Sequence, residues 1–284
     1  MKISVFYDHI LEATEQSKCS EEDVLKNISE CKIDGVEINY DFLNEHFEKT
    51  ISLLRKYNYS VSCIYQFYNF ESSADLTKAK AHVDLAQKVG AKEILVVPGF
   101  LNKTDTMELR ACGLDKQKVW SFMKQNKSVQ NIMEALIKIV EYASSKNIKV
   151  TLEDFDSFSA PFATSAQLLY FMQNVPCLRC TFDTGNFAFS NENVEEAFPF
   201  LKNYISHVHA KDRGVELNKP QLKNNKGLAS CSTGSGYIPI GKIISELKEI
   251  GYEDYIAIEH FGAKNQIEAI KKSAEFLTKL LLTE

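Results

Sequence analysis

The sequence predicts an α/β fold, a single (β/α)₈ TIM barrel over residues 1–284 with long loops after its fourth and seventh strands. Three observations predict it. Short runs rich in β-branched and aromatic residues alternate with amphipathic stretches of helical period, and there are eight such runs. The runs are almost continuously apolar, as strands covered on both faces are. No GxGxxG or GxxxxGK(S/T) follows the first run, so nothing marks the nucleotide site that an open parallel sheet carries there. A length of 284 residues also suits a barrel, which takes about 250.

In chain order the strands read KISVFY (2–7), GVEINY (35–40), SVSCIYQF (60–67), EILVVP (93–98), IKVTLEDF (148–155), LRCTFD (178–183), ISHVHA (205–210) and YIAIEH (255–260). Between the first two, Ser20 followed by Glu21, Glu22 and Asp23 starts a helix, with acidic groups at its positive end. After the fourth strand, Gly99 to about Lys127 exceeds an ordinary βα loop and holds the only tryptophan, Trp120, in a short helix. The stretch SVQNIMEALIKIVEYASSKN then sets Ile132, Met133, Leu136, Ile139 and Val140 on one helical face, with Ser128 as its expected N-cap. After the seventh strand, Lys211 to about Pro239 is again long and contains TGSGY. GKIISELKEIGY ends its helix at Gly251, a left-handed cap. Both long loops leave strand C-termini, the face where barrels place their sites, and both are lid candidates.

Composition narrows the function. A net charge of −5 speaks against a general nucleic-acid or anionic-membrane binder. No apolar run reaches the roughly 20 residues of a membrane span. Seven cysteines, an odd number, are scattered through periodic segments, and no apolar leader opens the chain; a cytoplasmic setting with reduced thiols is expected. Cys177 and Cys180 form a CxxC with no second pair to complete a zinc site, so both are expected to be buried structural thiols.

The strand ends carry the chemistry. The fifth ends in TLEDF with Glu153, the sixth in FDTGN with Asp183, the seventh holds His207 and His209, and the eighth ends in IEHF with Glu259. Alternation puts His207 and His209 on one face, with His209 nearer the mouth. Each residue alone reads most simply as solvated or as part of a hydrogen-bonded core. Together, three carboxylates on a low-dielectric rim repel one another unless a cation neutralises them. Such oxygens with one imidazole suit one divalent ion, Mn²⁺, Mg²⁺, Co²⁺ or Zn²⁺.

The Glu/Asp/His/Glu series, the DTGN of the sixth strand, the HVH of the seventh and the GSGY before the last unit together resemble the xylose-isomerase-like superfamily. Within it the chain is similar to the sugar phosphate isomerase/epimerase group of ketose 3-epimerases, hydroxypyruvate isomerases and inosose dehydratases. The resemblance implies that Glu153, Asp183, His209 and Glu259 hold one metal ion, often Mn²⁺, and that Glu153 and Glu259 are also the catalytic acid/base pair. It implies a supporting place for His207 beside the ligands. Glu37 stands where the family is often acidic, either in a salt bridge inside the barrel or in contact with substrate. Many epimerases carry histidine where Asn186 stands, and Asn186 can bind a hydroxyl but cannot carry a proton at neutral pH. Arg213 is the nearest match to the family's substrate-contacting arginine. Relatives are often dimers or tetramers, so a homo-oligomer is expected.

The rim is aromatic. Tyr7, Tyr65 and Phe261, with Tyr40, Phe67, Tyr68, Phe70, Phe155 and Phe158, lie at or beyond strand ends, where rings stack on sugar C–H faces; part of them only cap the core. Lys211 shares the inward face of His209 and could meet a phosphate or carboxylate. The expected activity is proton abstraction beside a carbonyl of a ketose, hydroxy-aldehyde or sugar phosphate, giving isomerisation or epimerisation. Three rival readings stand beside it. A dehydratase would use the same enolate chemistry. An AP endonuclease would need histidines where Gln66, Pro98 and Asn186 stand, and a non-catalytic sugar-binding barrel would have no need of both glutamates.

Overall fold

A computed structural model describes residues 1–216 and 226–283. The strands are β1 (Lys2–Phe6), β2 (Gly35–Asn39), β3 (Ser60–Phe67), β4 (Glu93–Val97), β5 (Lys149–Glu153), β6 (Arg179–Asp183), β7 (Ile205–Lys211), β8 (Arg213–Gly214), β9 (Ala229–Ser230) and β10 (Tyr255–Glu259). Eight of them close into a barrel in the order β1-β10-β7-β6-β5-β4-β3-β2, while β8 and β9 form a separate antiparallel ribbon. The chain divides into two compact units, Met1–Ile64 with His207–Glu284, and Tyr65–Ser206.

In the first unit, β1 runs parallel to β2 on one side and to β10 on the other, with Val5 level with Val36 and with Ile258. Helices α1 (Tyr7–Ser17), α2 (Glu21–Ile28), α3 (Tyr40–Glu45), α4 (Phe47–Lys56), and further on α11 (Ile240–Glu249) and α12 (Gln266–Leu282), belong to the same unit. Val5, Val36, Ile38, Ile256 and Ile258 are fully buried, as are Ile270 and Leu277 of α12. Burial of such side chains contributes roughly 1.5–3 kcal/mol each. The Ser20 cap forms as expected: its hydroxyl accepts the Asp23 amide while Asp23 accepts the Ser20 amide. Gly251 takes φ 71 beyond the end of α11.

In the second unit, β4, β5 and β6 are parallel, with Leu95 level with Thr151 and Glu153 with Thr181. Its helices are α5 (Thr77–Val89), α6 (Lys103–Ala111), α7 (Lys116–Gln125), α8 (Lys127–Ser144), α9 (Ser165–Asn174) and α10 (Val194–Leu201). The segment after β4 therefore holds two helices, not one; Asn102 and Asp115 cap them through their side-chain oxygens. Trp120 on α7 donates from Nε1 to Ala166 O at 2.8 Å, which ties that segment to α9. The cap of α8 is Asn126, whose Oδ1 accepts the Val129 amide, instead of Ser128, because the preceding helix ends only one residue earlier. Cys180 is buried as expected, but Cys177 is exposed at φ 64, since it sits in the turn before β6 and not in the strand. Among the described residues, no helix is long and apolar enough to cross a membrane.

Candidate functional site

In the second unit, Glu153 and Asp183 close β5 and β6 and are buried, Asp183 completely. Asp183 Oδ1 accepts the amides of Gly185 at 2.6 Å and Asn186 at 2.8 Å, so the turn of the DTGN segment fixes its carboxylate. The Asn186 side-chain amide donates to Asp154 O at 2.8 Å and Glu153 Oε1 at 3.3 Å. Asn186 thus positions Glu153. Asp154, which the sequence reading passed over, is also completely buried, and its Oδ1 accepts the Asp183 amide at 2.9 Å. Burial, then the charges of Asp183 and Glu153, push its carboxyl well above the usual range. Its Oδ2 is buried without a hydrogen bond. This half therefore gathers three acidic groups that resist being ionised together.

The first unit brings together His207, His209 and Lys211 of β7, Glu259 of β10 and Glu37 of β2. Alternation on β7 sends the three basic side chains to one face, as expected. Glu37 Oε2 accepts from His207 Nε2 at 2.7 Å and from His209 Nε2 at 3.0 Å. Burial alone would raise the Glu37 carboxyl; the imidazoles of His209 and His207 outweigh it and bring it down to about 2. On its other side, His209 Nδ1 stands 3.1 Å from Glu259 Oε2. A nitrogen and an oxygen at this distance have the spacing of neighbouring ligands of one ion, since ligands ~2.1 Å from a metal at a right angle are about 3 Å apart. On this geometry His209 and Glu259 fit a divalent cation.

Lys211 Nζ lies 2.5 Å from Glu259 Oε1. Burial would raise the Glu259 carboxyl, but Lys211 and His209 hold it well below the usual range. Around this group Phe6 packs edge-on to His209 at 4.9 Å and to Phe261 at 5.4 Å. Phe261 is 41% exposed. Tyr7 is a correction: β1 ends at Phe6, so Tyr7 opens α1, is buried, and donates from its hydroxyl to Glu21 Oε2 at 2.6 Å. Phe6, the last residue of β1, is instead the ring packed against His209. Tyr65 is half-buried in the second unit, 6.3 Å from the ring of Phe67.

The loop after β7 is pinned by Asp212. Its Oδ2 accepts the amides of Gly234 and Gly236 at 2.9 and 2.8 Å, and its Oδ1 those of Arg213 and Ile238 at 2.8 and 3.1 Å. The two glycines of TGSGY are required there. Gly234 has φ +85, and a Cβ on it would lie 2.4 Å from the Phe276 ring. A Cβ on Gly236 would lie 2.3 Å from Arg213 O. Arg213 is itself buried on β8, its carbonyl accepting the Tyr237 amide at 3.0 Å. Residues 217–225 of this lid candidate lie outside the described residues.

Comparison with known proteins follows the same lines. An uncharacterized protein of Methanocaldococcus jannaschii is 32% identical over 159 residues, 54% of this chain and 49% of that protein. An inosose dehydratase of Clostridium beijerinckii is 25% identical over 186 residues, 63% of this chain and 60% of that one. The chain thus spans half to three-fifths of the length of these curated relatives. The crystal structure of the IolI protein with a bound zinc atom has a TM-score of 0.72 at 16% identity, covering 99% of this chain and 98% of that one. A D-tagatose 3-epimerase-like protein has a TM-score of 0.71 at 22% identity, covering 99% and 97%. At these identities the likeness is one of fold. The family model described as the xylose isomerase-like TIM barrel matches residues 25–280, and the chain belongs to that family.

Proposed function

We propose that the chain is a divalent-metal-dependent sugar isomerase or epimerase that moves a proton on a carbon beside a carbonyl. One observation carries the reading: His209 and Glu259 stand 3.1 Å apart at the strand ends of the first unit, and Glu153 and Asp183 close the parallel strands β5 and β6 of the second. These four would hold the ion, with manganese or zinc as its natural occupants. When bound, such an ion supplies Lewis acidity to adjacent carbonyl and hydroxyl oxygens of a sugar.

The chain's own groups supply the rest. Glu259, kept ionised by Lys211 and His209, is ready to accept a proton. Glu153 shares its half with Asp154 and Asp183 and is placed to be the partner carboxyl. Such a pair of carboxyls can take a proton from one carbon and return it to the other face or to the next carbon. Phe6 and Phe261 offer an apolar wall to the C–H side of the substrate. The substrate is a small sugar or sugar phosphate, the protein acting as a homo-oligomer in the cytoplasm.

One observation favours a second reading. The Lys211 ammonium beside Glu259 could give a proton to a departing β-hydroxyl, which would make the enzyme a dehydratase. Incubation of a ketose and keto-polyol panel with Mn²⁺ in D₂O separates the two. Deuterium beside the carbonyl in recovered substrate and product supports proton transfer, and Glu259→Gln should slow it by on the order of 10²–10⁴-fold. A dehydrated product without exchange into recovered substrate makes the enzyme a lyase.

A further inference from the structure

One layer below His209, a second set of ligand types meets. Glu37 of β2, Cys63 of β3 and His207 of β7 each offer a ligand atom within 4.8 Å of the others, and all three side chains are completely buried. Cys63 is the one cysteine of the described residues that falls in such a group. The hydrogen bonds in this layer leave something over. Both imidazoles share Glu37 Oε2, whereas Oε1 of the same carboxylate is buried with no hydrogen bond. An unsatisfied carboxylate oxygen in a dry interior is costly, and a cation is the partner that relieves it best.

We propose that Glu37, Cys63 and His207 form a second metal site, selective for zinc-class ions, beneath the oxygen-rich site at the strand ends. The donor set differs in kind from the outer one. A thiolate, an imidazole and one carboxylate match the softer, borderline preference of Zn²⁺ and Co²⁺, not that of Mg²⁺ or Mn²⁺. Charge also balances. As the metal–sulfur bond forms, the Cys63 thiol releases its proton to solvent, so one thiolate and one carboxylate neutralise a doubly charged ion. Glu37 Oε1 is the oxygen available to the ion, while Oε2 continues to accept the His209 Nε2 proton. Glu37 would then link the two sites, tightening the outer ligand when the inner site is filled.

Cobalt(II) titration of metal-free protein tests this without reference to catalysis. The expected result is two equivalents bound per chain, one of them giving the near-ultraviolet thiolate-to-cobalt charge-transfer band. Cys63→Ser should abolish the band and remove one equivalent. Asp183→Asn should lose the other equivalent and keep the band, so failure of the outer site and of the inner one are read separately. Cys63→Ala repeats the measurement should the serine variant fold poorly, with far-ultraviolet circular dichroism as the check. Absence of the band in the wild type, or a band that survives both Cys63 substitutions, overturns the proposal.

Discussion

Replacing Glu37 by glutamine tests whether the β7 histidines are held by charge. The perturbation keeps the side-chain volume and removes one buried negative charge that accepts from two imidazoles at 2.7 and 3.0 Å. The Glu37 carboxyl falls from 4.5 to about 2 on folding, and at 1.36 kcal/mol per pH unit that corresponds to about 3 kcal/mol of stability. The group is wholly buried, so solvent screens little of it. Because its folded-state pKa lies below the unfolded one, the contribution is complete above about pH 4.5 and fades as pH falls toward about 2. Urea unfolding of metal-free protein at pH 7 should show Glu37→Gln destabilised by about 3 kcal/mol, or a Tm lower by roughly 6–12 °C. Competition with a chelator, run in the Cys63→Ser background so that only the outer site is read, should show metal affinity falling by about 10–100-fold as His209 loses its anchor. A variant within about 1 kcal/mol of the wild type and with unchanged affinity would refute the anchoring role.

Two further perturbations probe the acidic half and the loop. Asp154 binds its proton more tightly folded than unfolded, so in metal-free protein it costs stability as pH rises past about 3.8, at ~1.4 kcal/mol per pH unit until the folded group ionises. Asp154→Asn should therefore be the more stable form in chelator at pH 6.5, with the gap closing toward pH 4 in a series of urea titrations; a gap independent of pH contradicts the crowding of Asp154, Asp183 and Glu153. Asp212→Ala strands the amides of Arg213, Gly234, Gly236 and Ile238. Their hydrogen exchange should quicken by about 10²-fold, which is ~3 kcal/mol of local stability, and unchanged protection would show that another group holds the loop.

The barrel strands were legible because their apolar runs contrast with the helical period of what lies between; each observed strand falls within two residues of its expected bounds. Glu153, Asp183 and Glu259 were legible for a related reason, as ionisable residues closing apolar strands are costly to bury without purpose. Alternation likewise put His207, His209 and Lys211 on one face. Alternation failed where strands give way to turns. It placed Tyr7 at the rim, although the chain is already helical there and Phe6 is the ring that packs on His209. It gave no role to Asp154, whose backbone has left β5, so that its side chain turns toward β6. Asp212 was invisible for another reason: a carboxylate accepting three amides from a loop more than twenty residues on leaves no local pattern. The choice of Asn126 over Ser128 as cap turned on where the preceding helix stops, and sequence period does not fix that within a turn.

The central claim is that acidic and imidazole groups at the ends of β5, β6, β7 and β10 share one divalent ion. An anomalous-difference map at the manganese edge, from crystals grown with Mn²⁺, tests it most directly. The account predicts one strong peak about 2.0–2.4 Å from oxygens of Glu153, Asp183 and Glu259 and from Nδ1 of His209. A map without density there, or a peak bound through Nε2 of His209 with Glu37 displaced, would contradict it.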